Sequence, residues 1–463
     1  MCGIFGITNS EKASESCYYG IHAMQHRGQE SAGIISADSE MVYAHHGMGL
    51  VSEVFNNVNT LSQLKGDTAI AHNRYSTTGA SSAVNIAPLL FKHKESFIAV
   101  AHNGNLVNLD KTIKKLENNG ALFKTSTDTE IIVHLIVRAK EEAFPDKVSA
   151  ALKQLEGAFS LLIMTRKMLI AARDSLGLRP MVMGKLGNST LFASETCAFD
   201  LIGAEYIREV EPGEIIVIDR ESGKLESFRF SPKTSPKHCI FEMVYFSRPD
   251  SRVFGDNVDR ARRKLGKNLA IESDHDHAQL VLSVPDSSNT IAIGFARRSE
   301  VKFDIGLIRN HYVGRTFIAP LQSERDLKVH LKFNTVKGVL EGRNVILVDD
   351  SIVRGTTLKK LIKLIREAGV KEVHVRIASP PIRHPCFYGL DFPTHCELVT
   401  YERNLDDICR YIGADSLHYL SIDGLLNSMA EPKSHYCTAC FTGDYPIPVT
   451  DKEKAQDNYI NEI

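Results

Sequence analysis

Residues 345–357 read VILVDDSIVRGTT. An apolar run, Asn344–Val348, meets two aspartates, Asp349 and Asp350, and then a loop of small and hydroxylated residues. Leu358, Leu361, Ile362 and Ile365 follow on one helical stripe, and Gly369 stands where a helix C-cap belongs. Val373, Val375 and Ile377 then alternate as a strand. Strand, helix and strand in that order predict a βαβ unit, and with it a parallel sheet in an α/β domain. The loop presents backbone N–H groups and hydroxyls at a helix N-terminus, which suits a phosphate. Asp349 and Asp350, at the carboxyl end of the strand, can accept hydrogen bonds from ribose hydroxyls and offer oxygen ligands to Mg²⁺. Two aspartates alone would read as an acidic turn after a buried strand. The string lacks the GxxxxGK[ST] spacing of a P-loop, so it does not predict an ATPase.

Upstream, Ser231–Lys237 reads SPKTSPK and contains nothing to feed a core. It predicts a linker (231–237) between a first domain (2–230) and a second (238–450), with a polar tail at 451–463. The first domain reads differently from the second. Ala13, Cys17, Ile21 and Met24 share a helical face, and a second helix is expected after Thr127 and Glu130, which have capping-box spacing. Strand-like runs lie at Thr68–Ala71, Phe97–His102, Ala158–Thr165, Met168–Ala172, Thr190–Ala193 and Ile215–Ile218. So many strands with few helices predict stacked β-sheets flanked by helices.

The chain begins Met-Cys. Once Met1 is removed, Cys2 carries both a thiol and an α-amine that titrates near 7.7–8.0, so one residue can supply nucleophile and general base. Met1 alone precedes Cys2, so methionine removal is the only maturation step expected. By itself the dipeptide could equally be the small-residue start of a strand. Further strings change that reading: QHRGQESAG (Gln25–Gly33), AHNRYSTTG (Ala71–Gly79), AHNGNL (Ala101–Leu106) and STDTE (Ser126–Glu130). In order and spacing, these and MCGIFGI resemble a class II glutamine amidotransferase domain of the N-terminal-nucleophile type. The resemblance implies an αββα sandwich in which Cys2 attacks the glutamine side-chain amide. It also implies that Asn103 and Gly104 form the oxyanion hole. Arg74, with His72 and Thr77, would hold the substrate α-carboxylate, and Asp128 its α-ammonium. Read alone, Asn103-Gly104 is also a turn dipeptide, Asp128 a favourable charge at a helix start, and Arg74 a surface ion pair.

Residues 345–357 are similar to the diphosphoribosyl motif of type I phosphoribosyltransferases. A glutaminase half followed by such a half resembles the amidophosphoribosyltransferase family over essentially the whole chain. FSRPDS (Phe246–Ser251), SVPDSS (Ser283–Ser288) and VGRTFIAP (Val313–Pro320) support it. The resemblance implies synthesis of 5-phosphoribosylamine, glutamate and diphosphate from phosphoribosyl diphosphate, glutamine and water, the first committed step of purine biosynthesis. It places phosphoribosyl diphosphate on Asp349, Asp350, Ser351, Val353, Arg354, Gly355, Thr356 and Thr357. Mg²⁺ would lie on Ser287, Asp349 and Asp350, and Lys332 in a mobile stretch, Gln322–Lys337, that closes over the diphosphate. Without the family, Lys332 reads as a solvated loop lysine. Some members carry a [4Fe–4S] cluster in the contexts matched here by Cys239, Cys386, Cys437 and Cys440, so a cluster of that type is implied. A Cys₄ zinc site is the chemical competitor, and Cys437-x-x-Cys440 alone could be redox-active. Cys17, Cys197, Cys396 and Cys409 read as small core or surface residues. The family also implies purine nucleotides as inhibitors and a homo-oligomer, dimeric or tetrameric.

Composition narrows the alternatives. The chain has 463 residues, 43% hydrophobic and 24% charged, with Lys+Arg 55 against Asp+Glu 56 and a net charge of −1. That is too apolar for disorder and too balanced for a protein that wraps nucleic acid. No run approaches a membrane span and no secretory signal is visible. An odd nine cysteines argue against a disulfide framework and for a reducing, cytoplasmic setting. Other class II amidotransferases, such as glucosamine-phosphate synthase or asparagine synthetase, share only the first half. The VDDSIVRGTT string discriminates against them. A transcriptional or RNA regulator built on a phosphoribosyltransferase-like domain is disfavoured by the charge, the intact Cys2 and the lack of a helix-turn-helix.

Overall fold

The computed structural model describes residues 2–75, 81–94, 96–275, 277–311, 332–390, 392 and 394–449. Thr77, Val313–Pro320, residues 322–331 of the expected closing segment and the tail 451–463 lie outside the described residues.

The N-terminal domain is built on two antiparallel sheets. In one, the strands run in the order Glu205–Glu209, Val182–Leu186, Ser189–Ala193, Gly3–Thr8, Thr68–Arg74, Ser31–Ala37 and Val42–Met48. In the other, the order is Leu225–Arg229, Glu214–Asp219, Met168–Arg173, Glu156–Thr165, Ser96–Val107 and Leu89–His93. Ile4, Ile70, Leu162, Phe192 and Ile216 share the core between the sheets. Phe5 and Ile7 face the other way, onto the helices Ala13–Ala23 and Cys197–Ile202. The helices Thr129–Arg138 and Phe144–Leu152 cover the outer face of the second sheet. This is the expected αββα sandwich. Gly3–Thr8 is buried along its whole length because both its faces are covered. It therefore shows no alternation of polar and apolar residues.

The capping box expected from Thr127 and Glu130 does not form. Asp128 is the N-cap of Thr129–Arg138. The Glu130 carboxylate instead accepts the backbone N–H groups of Lys124 and Thr125, and the Thr127 hydroxyl accepts that of Thr129. Glu130 turns to the preceding loop because that loop offers more donors than the helix end.

Residues 231–237 carry no regular element and are mostly exposed. Beyond them a four-stranded parallel sheet runs Leu280–Ser283, Asn344–Asp349, Glu372–Ile377 and Ser416–Tyr419. Val258–Glu272 and Asn289–Ser299 pack on one face, Thr356–Glu367 and Leu405–Ile412 on the other. The stripe Leu358, Leu361, Ile362 and Ile365 is buried as its spacing predicts. Fully burying each of these side chains contributes about 1.5–3 kcal/mol. Gly369 follows the helix with φ +86. A short parallel pair, His238–Cys239 with Tyr436–Cys437, sets Cys239 opposite Cys437.

Candidate active sites

Cys2 is buried at the start of the central strand of the first sheet. Its backbone N–H donates to Asn103 Oδ1 (3.2 Å) and its thiol to the Tyr75 carbonyl (3.5 Å). The first contact fixes the Asn103 amide, which turns its Nδ2 donor away from the Cys2 nitrogen. Burial pushes the Cys2 thiol up, but His72 beside it, the chain's terminal ammonium and the Tyr75 backbone together offset this and bring it down to about 6. His72 in turn bonds the His102 carbonyl through Nε2 (3.0 Å). The imidazole, expected to help hold a substrate carboxylate, thus faces the nucleophile.

Asn103 and Gly104 do not form a turn. They lie inside the long strand Ser96–Val107, opposite Ser160 and Phe159. The partner strand Leu89–His93 ends at the Leu89–Val100 pair, so the edge beyond it is open. From that edge the His102 carbonyl meets His72, and the Leu106 N–H donates to Asp128 Oδ2 (2.9 Å). Strand alternation puts the Gly104 N–H between them, aimed the same way. A side chain at Gly104 would bring its Cβ within 2.0 Å of the Ala158 carbonyl oxygen. That crowding explains why glycine stands there.

Asp128 lies 3.5 Å from His102 Nδ1. Burial would lower the His102 pKa and raise that of Asp128, but their mutual attraction wins, raising the first and lowering the second. His102 immediately precedes Asn103 in AHNGNL, yet nothing in the string itself gives it a role. Arg74 donates to the Asn85 carbonyl (2.7 Å), and the Asn85 side chain bonds Ser126 through both its amide atoms. Asn85 therefore ties the AHNRY string to STDTE, a link that requires the fold to be seen.

In the second domain Asp349 and Asp350 sit together at the strand end. Ser287 Oγ donates to Asp350 (2.6 Å), Ser288 Oγ to Asp349 (2.9 Å) and Ser351 Oγ to Asp350 (2.8 Å). Burial, and for Asp349 the adjacent carboxylate, raise both carboxyls above their ordinary range. Gly355 caps Thr356–Glu367 with φ +73, and Thr356 and Thr357 are exposed in the first turn. Val353 packs its side chain against the core, so only its backbone faces the loop. Arg354 reaches Glu397 (3.1 Å). The Lys332 ammonium lies over the Phe333 ring, 5.4 Å from its centroid.

Cys239, Cys386, Cys437 and Cys440 line one cavity with Leu178, Phe241, Tyr388, Leu390, Ala439 and Tyr445. All four are free thiols. Burial raises Cys239 to about 11 and Cys437 to about 12, and the neighbouring sulfurs add to the effect. Cys17 and Cys197 are buried in the helix-side core, while Cys396 is exposed.

A glutamine amidotransferase domain family matches residues 72–200, and a phosphoribosyl transferase domain family matches residues 257–379. The amidophosphoribosyltransferase of Bacillus subtilis is 49% identical over 97% of this chain and 94% of its own. The chloroplastic amidophosphoribosyltransferase 2 of Arabidopsis thaliana is 49% identical over 100% of this chain and 82% of its own. The chain belongs to the amidophosphoribosyltransferase family. The solved B. subtilis glutamine phosphoribosylpyrophosphate amidotransferase, complexed with ADP and GMP, superposes with a TM-score of 0.91. It is 48% identical and covers 97% of this chain and 98% of that one. As an amidophosphoribosyltransferase-family enzyme, the chain joins a glutamine amidotransferase to a phosphoribosyltransferase, and the family's reaction is the first step of purine biosynthesis. None of its described helices is long and apolar enough to cross a membrane.

Proposed function

We propose that the two sites divide the reaction as follows. Cys2, freed of Met1, attacks the glutamine side-chain carbonyl. Asn103 Nδ2 and the Gly104 N–H hold the oxygen that gains negative charge. The C–N bond breaks, the nitrogen leaves as ammonia, and water hydrolyses the thioester to glutamate. Arg74, with His72 and Thr77, holds the substrate α-carboxylate, and Asp128 its α-ammonium. Ammonia passes within the protein to the second site and displaces diphosphate from carbon 1 of phosphoribosyl diphosphate. There Asp349 and Asp350 meet the ribose hydroxyls, and Ser351, Arg354, Gly355, Thr356, Thr357 and the Val353 backbone cradle the phosphate. Lys332 neutralises the leaving diphosphate.

One observation carries this reading. A single chain holds a buried Cys2 whose backbone N–H donates to Asn103, and also a paired acid followed by a hydroxyl-rich helix start. Cys2→Ala should abolish glutamine-dependent phosphoribosylamine synthesis and leave ammonia-dependent synthesis intact. Loss of both activities in a folded variant would refute the division.

Ser287, Asp349 and Asp350 would hold Mg²⁺. Their oxygens are hard donors, and the shared negative charge of two buried carboxyls favours a divalent cation. When bound, Mg²⁺ supplies charge neutralisation to the departing diphosphate. Cys239, Cys386, Cys437 and Cys440 would hold a [4Fe–4S] cluster. They line one largely apolar cavity. Four thiols gathered at one cavity are the ligand set such a cluster needs, and zinc is the chemical competitor. The nucleotides in the B. subtilis complex support purine nucleotides as inhibitors here, competing for the phosphate loop. The enzyme is a cytoplasmic homo-oligomer, dimeric or tetrameric, in this reading, and the described free thiols suit a reducing compartment.

A further inference from the structure

Arg74 ends the strand Thr68–Arg74, and Asp128 caps the helix Thr129–Arg138. The two charges that would take the α-carboxylate and the α-ammonium of one substrate thus come from different elements. Asn85, in the single turn Ala83–Asn85, joins them. Its backbone carbonyl accepts from Arg74 Nη1 (2.7 Å). Its side chain accepts the Ser126 N–H at Oδ1 (3.0 Å) and donates from Nδ2 to Ser126 Oγ (2.8 Å). One residue therefore grips Arg74 with its backbone and the loop before Asp128 with its side chain. Asn85 is 1% exposed and Arg74 6%, so water competes little for these bonds.

Ser126 stands two residues before Asp128. On its other side the loop is pinned separately. The Glu130 carboxylate accepts the N–H groups of Lys124 and Thr125 and the Thr125 hydroxyl. Asp128 itself accepts the Leu106 N–H, from the second sheet. Arg74 belongs to the first sheet. The Asn85 bonds relate the two sheets at the mouth of the glutamine site.

We propose that Asn85 is a positioning residue for substrate recognition: it sets the separation of Arg74 and Asp128, so that the site takes an α-amino acid by both its charged groups at once. The inference rests on the functional reading above. A carboxylate and an ammonium on one carbon engage two opposite charges together only when those charges are spaced to match. Arginine's long stem has many rotamers, and the Asn85 carbonyl selects among them. The α groups lie away from the amide that reacts, so their grip serves substrate and transition state alike. Loosening it raises KM and leaves kcat.

The test is steady-state glutamine hydrolysis by Asn85→Ala in the intact enzyme. Its KM for glutamine should rise about ten-fold or more, the order lost with one or two buried hydrogen bonds, while kcat stays within about two-fold of wild type. Iodoacetamide carries neither α group, so its rate of alkylating Cys2 should not change. Nor should ammonia-dependent synthesis. Asn85→Asp keeps one acceptor for the Ser126 N–H and one for its hydroxyl, and should recover most of the lost affinity. Ser126→Ala removes one of the two side-chain contacts and should raise KM by a smaller factor. In the double variant the two effects should fail to add. An unchanged KM in folded Asn85→Ala would overturn the proposal. So would a fall in kcat with slowed alkylation, the mark of a general disturbance at Cys2, or an Asn85→Asp no better than the alanine variant. Should Asn85→Ala not fold, an unchanged KM in Ser126→Ala overturns it. A wild type without glutaminase activity, or an Arg74→Ala variant with a normal KM for glutamine, would instead sink the functional reading itself.

Discussion

A thiol at about 6 is a thiolate at neutral pH, and at Cys2 this results from a contest. Burial alone would leave it a poor nucleophile; His72, through its charge and a hydrogen bond, together with the chain's terminal ammonium and the Tyr75 backbone, reverses that. The rate of Cys2 alkylation should therefore rise with a midpoint near pH 6. His72→Asn should move the midpoint toward the ordinary thiol value of about 8.5; a midpoint that stays put would show that His72 is not the cause. Because the folded value lies below the unfolded one, the thiolate contributes stability above about pH 8.5, and that contribution is lost as pH falls through about 6. Asp349 and Asp350 have the opposite sign. Their pKa values are raised, so stability falls as pH climbs out of the carboxylate range. Asp350→Asn should then raise the stability of the ligand-free enzyme by about 0.5–2 kcal/mol, as relief of active-site strain commonly does. It should also abolish stabilisation by phosphoribosyl diphosphate with Mg²⁺. Thermal unfolding at pH 7 with and without ligand decides, and a lower melting temperature for the free variant would contradict the account. At this scale the acid pair was legible within its thirteen-residue string, whereas Cys2 was legible only beside the strings at 25–33, 71–79, 101–106 and 126–130. Asn85 was not, because it lies outside the two strings it joins and its partners Arg74 and Ser126 are 11 and 41 residues away.

Among the elements, the strand Ser96–Val107 does the most for function. It runs past the end of its neighbour, and the unpaired edge carries the groups that meet His72 and Asp128, with the Gly104 N–H, the proposed oxyanion donor, between them. A methyl at Gly104 would collide with the Ala158 carbonyl and with His102 Nε2. Gly104→Ala should consequently lower glutaminase turnover by about 10²–10³-fold, the loss typical of one oxyanion donor. Steady-state assays should find ammonia-dependent synthesis unchanged, and near-wild-type glutamate release would show that the strand accommodates the methyl. Helices with clean stripes, Ala13–Ala23 and Thr356–Glu367, could be read from spacing alone. Gly3–Thr8 and Ser31–Ala37 could not, since strands buried on both faces carry no alternation. Val258–Glu272 was hidden by its charges, VDRARRKLGKNLAIE, although Val258, Leu265 and Leu269 anchor it in the core.

For the whole molecule, the cysteine cavity lies where the two domains meet. Cys239 and Cys437 come from the short parallel pair, and Cys440 from the turn after it. Cys386 starts the stretch that rests on the glutaminase domain. Asn105 Nδ2 donates to the Phe387 carbonyl (3.0 Å), and Arg179 Nε donates to that of Tyr388 (2.9 Å). A Cβ on Gly389, which has φ +100, would meet the Gly104 backbone at 3.2 Å. Leu178, from the first domain, lines the same cavity. A cluster held by these thiols would cross-link three segments far apart in the chain and pin the one that starts at Cys386 against the strand Ser96–Val107. Anaerobic enzyme should then be brown with about four iron atoms per chain. Cys437→Ser should lose the colour, unfold at lower temperature and become sensitive to proteolysis around residues 386–390. The protease result is the informative one, because a cluster remote from the interface would leave that stretch protected when lost. A colourless, equally stable protein with stoichiometric zinc would replace the cubane with a zinc site. The four cysteines were legible only through the family's contexts. Beyond the C-x-x-C pair Cys437 and Cys440, their spacing over some 200 residues contains no signal of its own, since short β-pairing and domain docking bring the other two to that pair.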